Sequence, residues 1–85
     1  MEFEDDIKKS LVIAMDRLGM DFKNIDNTTS DLYLEFKSMP LKEIREALRL
    51  GSLGKYGRTY KLSTQEVCFW VREYQKNINK KQTLL

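Results

Sequence analysis

Three neutral polar side chains, Ser63, Thr64 and Gln65, stand together just ahead of an apolar-periodic stretch, and Cys68, Arg72 and Lys76 follow them at helical spacing. Hydroxyls and a carboxamide can share hydrogen bonds with planar partners such as base edges, and cationic side chains can hold phosphate. Lys55, Arg58 and Lys61 lie shortly upstream and add positive charge. This is the chemistry of recognition, in which no covalent bond changes. Reaction chemistry has little to work with. The chain has one cysteine, Cys68, and no histidine, so it offers no imidazole-activated thiol, no Cys/His zinc site and no internal disulfide. The run GSLGKYG lacks the G-x-x-x-x-G-K-[ST] spacing of a phosphate-binding loop. No enzymatic activity, cofactor or metal is expected, and Cys68 reads as a small, partly buried side chain.

The elements that position these residues begin at Ser63. Ser63, Thr64, Gln65 and Glu66 form an S-x-x-E capping box, which marks a helix start. Val67, Trp70, Val71, Tyr74 and Ile78 then recur on one helical face, predicting a helix to about Asn77. Upstream, Leu53, Tyr56, Gly57 and Tyr60 repeat at the same period, which predicts a short helix ending at Lys61. Two helices joined by a tight turn need a small residue where their backbones approach, and Gly57 fits that place. A second reading fits the same residues. Each glycine inside a helix costs about 1 kcal/mol relative to alanine, so Gly51, Gly54 and Gly57 also suit a glycine-rich loop between two ordinary helices.

Residues 53–72, LGKYGRTYKLSTQEVCFWVR, resemble the helix-turn-helix of resolvases, transposases and small bacterial regulators. The apolar places of that pattern hold Tyr56, Tyr60, Leu62, Val67 and Trp70, the small place holds Gly57, and the run closes on V-x-x-W-V-R. The turn position usually given to glycine carries Lys61. Residues 32–76 are also similar to small proteins of phages and mobile elements of Bacteroidetes-type bacteria that share a G-x-Y-G-x-x-Y stretch. That group has no agreed function, so the likeness implies a setting of mobile DNA and assigns no site residues.

The rest of the 85 residues reads as one all-α domain of about five helices. Phe3, Ile7, Leu11, Ala14 and Leu18 predict a first helix over 3–19, with Glu2, Glu4, Asp5 and Asp6 at the positive end of its dipole and Gly19 as a stop. Val12, Ile13 and Met15 widen its apolar surface beyond one stripe. Residues 20–30 are rich in Asn, Asp, Thr and Ser and read as a connection anchored by Phe22 and Ile25. Residues 31–37 favour a short helix over a strand. Pro40 opens a further helix with Leu41, Ile44, Ala47 and Leu48 inward, and Gly51 ends it. Residues 1–38 are thus N-terminal helices, 39–77 a three-helix, helix-turn-helix-like unit, and 78–85 a flexible basic tail. The longest apolar run, 11–15, is far short of the roughly 20 residues a bilayer needs. The acidic start MEFEDD is unlike a signal peptide, so a cytoplasmic protein without a membrane partner is expected.

Charge is divided along the chain. Residues 1–40 hold nine acidic and five basic side chains, and residues 41–85 hold four acidic and ten basic, giving −4 and +6 around an overall +2. Such segregation suits a chain whose C-terminal part meets a polyanion. For double-stranded DNA the start of the Ser63 helix would enter the major groove. There Ser63, Thr64, Gln65 and Cys68 would face outward, with Gln65 placed to bond an adenine edge. Lys55, Arg58, Lys61, Arg72 and Lys76 would sit on phosphates, and five such contacts imply a log–log salt slope of about −4 to −5. The same stretch supports a second class of function. Residues 63–71 carry no Arg or Lys and one acid, Glu66, and Phe69 on that face suits the core of an interface with a protein partner or a homodimer.

Overall fold

The computed structural model describes residues 2–84. Four helices follow in order: α1 (Glu2–Leu18), α2 (Ile25–Phe36), α3 (Leu41–Ser52) and α4 (Thr64–Leu84). No strand occurs among the described residues. The chain is all-α, with one helix fewer than the spacing predicts.

Each boundary has a local cause. α1 stops at Gly19, whose φ of 64° lets the Met20 amide turn back to the Met15 carbonyl at 3.1 Å. α2 starts inside the segment that reads as a connection. Asn24 caps it by accepting the Asn27 amide on Oδ1 at 3.1 Å, and the Thr29 hydroxyl donates to the Ile25 carbonyl at 2.8 Å. The residues that favour turns here also cap and back-bond a helix, and burial of Leu32 and Phe36 decides the outcome. Pro40, with φ −59°, precedes α3 as its composition predicts.

The helix predicted over 53–61 does not form. α3 ends in a Schellman arrangement in which the Gly54 amide returns to the Gly51 carbonyl at 3.1 Å and the Lys55 amide to the Leu50 carbonyl at 3.0 Å. Gly54, at φ 90°, occupies the left-handed position that such a cap requires. The stop is therefore Gly54, and Gly51 lies within the last turn of α3. Residues 53–63 form a turn-rich connection, the glycine-rich alternative. Ser63 then caps α4 by accepting the Glu66 amide on Oγ at 3.2 Å. α4 continues to Leu84, past the predicted end at Asn77, so residues 78–84 extend the helix where a flexible tail is expected.

The four helices close a ring. α1 packs on α2 and α3, and α4 packs on α3 and, less extensively, on α2. The core inside it holds Ile7 and Leu11 of α1, Leu32 of α2, Ile44 and Leu48 of α3, and Val67, Trp70 and Val71 of α4. Phe22 and Leu62 close it from the connections. Met15 is partly buried and accepts the Phe22 amide on its sulfur at 3.4 Å. An ion pair of 2.8 Å between Lys8 and Asp26 ties α1 to α2.

Candidate nucleic-acid interface

α4 displays Gln65, Phe69, Arg72 and Lys76 on one exposed stripe, spaced as a helix face requires. The other three residues expected at its start are occupied. Ser63 is the cap, and the Thr64 hydroxyl lies 2.7 Å from that of Thr28 on α2, holding the start of α4 against its neighbour. Cys68 is buried toward α2, and this burial pushes its thiol above the ordinary value. Arg72 pulls it back while Glu35 and Asp31 push it further up. A protonated thiol is a poor nucleophile.

Two of the five predicted phosphate contacts already have acidic partners. The Arg72 guanidinium donates to Glu35 at 3.3 Å and lies 5.8 Å from the centre of the Phe36 ring. Lys76 donates to Glu73 at 3.2 Å. Asp31 and Glu35 of α2 therefore flank the outer stripe of α4 with negative charge.

The connection between α3 and α4 has the opposite character. From Ala47 to Gln65 there is no acidic residue, and Arg49, Lys55, Arg58 and Lys61 are the charges. Tyr56 is partly buried, while Thr59 and Leu62 are buried and pin the segment to the body. Lys55, Arg58, Tyr60 and Lys61 point out, and among the described residues no ion pair engages Lys55, Arg58 or Lys61. The Arg58 guanidinium carbon sits 5.5 Å from the centre of the Tyr60 ring, which is 81% exposed. This position corrects the helix-turn-helix pattern, in which Tyr60 is an inward apolar residue. The signal available in the sequence is R-x-Y-K, an aromatic set among cations with no acid near it.

An open groove of about 800 Å³ lies elsewhere, lined by Ile13 and Arg17 of α1, Lys42, Arg45 and Arg49 of α3, and Tyr74 of α4. Its charges are mixed. Arg17 donates to the Ser52 hydroxyl at 2.9 Å, and Arg49 is paired with Glu46 at 2.6 Å, which holds the Glu46 carboxyl below its ordinary range. Among the described residues no cluster of three or more His, Cys, Asp or Glu side chains is placed to hold a metal ion, and no helix is long and apolar enough to cross a membrane.

Compared with protein-family models, curated proteins and solved structures, the chain matches none.

Proposed function

We propose that this protein is a non-enzymatic nucleic-acid-binding module whose contact surface is the connection between α3 and α4. The observation that supports it most is the display of Lys55, Arg58 and Lys61, without ion-pair partners among the described residues, on a pinned, acid-free segment. Phosphate oxygens are natural partners for such a set, and counterion release makes the resulting affinity salt-dependent. α4 serves as support in this reading. The accessory or regulatory role in a phage or mobile element implied by the sequence resemblance is compatible with a module of this size. The test is fluorescence anisotropy of labelled oligonucleotides, with salt raised from about 50 mM to about 200 mM. Binding with a log–log slope of about −2 to −3 fits three phosphate contacts; binding that ignores salt sinks the proposal.

A protein-binding use of the same fold has its own support. Val12 and Ile13 of α1 lie outside the core at 46% and 50% exposure, Ile13 at the edge of the groove toward α3, and Phe69 on α4 is 43% exposed. Lys9 and Asp16 flank Val12 and Ile13, so two antiparallel copies of α1 would place Lys9 opposite Asp16 twice. Sedimentation equilibrium of the wild type and of Val12→Glu tests self-association on this face, and a strict monomer at high concentration removes the dimer.

A further inference from the structure

The distribution of charge and aromatic surface on the 53–63 connection bears on the kind of strand bound. Duplex phosphates need only cations. Tyr60 is the most exposed of the large apolar side chains in the described structure, at 81%, and it stands between Arg58 and Lys61. Arg58 lies over the ring at 5.5 Å from its centre, and most of the Tyr60 surface stays open to solvent. Thr59 and Leu62 are buried on either side, so the backbone that carries the ring is held to the body. An aromatic face on a fixed backbone, beside cations, is the arrangement on which unpaired bases stack; the faces of bases within a duplex are already covered.

We infer that the connection binds single-stranded nucleic acid, with Tyr60 as the stacking platform and Lys55, Arg58 and Lys61 on the flanking phosphates. This rests on the nucleic-acid reading above and narrows it to one class of partner. Arg58 holds the ring as well as the strand. The stacking term depends on a base and the cationic term does not, so the two are separable by mutation.

The experiment compares oligodeoxyuridylate and oligouridylate of about 16 nucleotides, the upper end of single-strand site sizes, with a blunt hairpin duplex at one low salt concentration. Inorganic polyphosphate serves as a baseless competitor. Wild type is expected to prefer the single strands. Tyr60→Ala should weaken them by about fivefold or more while changing duplex binding less than about twofold, and Tyr60→Phe should keep the preference. Lys61→Ala should weaken single strand and duplex alike. The ratio of the two single strands tells DNA from RNA. Equal affinity for hairpin and single strands, or a Tyr60→Ala loss no larger than that of Lys61→Ala, overturns the inference while leaving nucleic-acid binding in place. Absence of binding to every oligonucleotide overturns both together. Because the Tyr60 side chain is exposed, an unchanged thermal transition of the variants, read by Trp70 fluorescence, confirms that the losses come from binding.

Discussion

Gly51 lies directly against the indole of Trp70, and a methyl group at that position would overlap the ring. Both residues are buried, and the contact limits how closely the last turn of α3 can approach α4. Gly51→Ala should therefore destabilise the fold by about 1–3 kcal/mol or more, although alanine is the better helix former by about 1 kcal/mol. Urea unfolding followed by Trp70 fluorescence measures it. A variant as stable as wild type would place the indole elsewhere.

Three glycines within seven residues show what the sequence conveys and what it leaves open. A small residue at a helix–helix approach is a sound expectation, but the approach belongs to Gly51 against Trp70, and Gly57 instead adopts φ 115° in the connection. Gly54 completes the cap of α3. Periodicity cannot tell a small residue that admits a neighbour from one that turns the chain, because the difference lies in contacts from residues far along the sequence. Where signals are local, at Pro40, Gly19, Ser63 and the apolar stripes of α1, α3 and α4, expectation and structure agree. The start of α2 was hidden for the opposite reason: Thr28 and Thr29 look like turn residues until the partners of their hydroxyls are known. At the candidate site, Lys55, Arg58 and Lys61 are exposed as expected, and Cys68 is buried, in line with its reading as a small, partly buried side chain and against its outward place in the duplex-binding reading; the contact of the Thr64 hydroxyl with Thr28 is one that no spacing rule reports.

The Thr28–Thr64 hydroxyl pair gives a second prediction. Thr64→Val leaves the buried Thr28 hydroxyl without its partner on α4 and should cost about 1–2 kcal/mol, while Thr28→Val with Thr64→Val should recover most of the loss. A double-mutant cycle by thermal unfolding reports the coupling. Additive losses would argue against the pair.

Cys68 supplies a pH test. Its folded-state value is raised, so the folded protein holds the thiol proton more tightly than the unfolded chain does. That contribution to stability is complete below the unfolded value and is lost as pH rises through the folded one. Stability should hold to about pH 8.5, the ordinary thiol value, and fall above it, with a shallower fall in Cys68→Ala. Iodoacetamide at pH 8 should alkylate the native thiol far more slowly than the urea-unfolded one. Equal rates would mean an accessible thiolate.

Glu35 tests the role of Arg72. The pair is half exposed, so Glu35→Gln should change stability by no more than about 1 kcal/mol. If Arg72 stands outside the contact surface, the salt slope of oligonucleotide binding should be the same in the variant. A slope steeper by about 0.7–0.9 would count Arg72 among the phosphate contacts.

The most direct measurement is an amide NMR titration of the wild-type protein and Arg58→Glu with an oligonucleotide at low salt. The predicted result is a set of shift changes confined to residues 55–62, weakened by salt and lost in the variant, with the outward amides of α4 from Gln65 to Lys76 unmoved. Shifts running along that face of α4, or none at all, would contradict the assignment of binding to the connection.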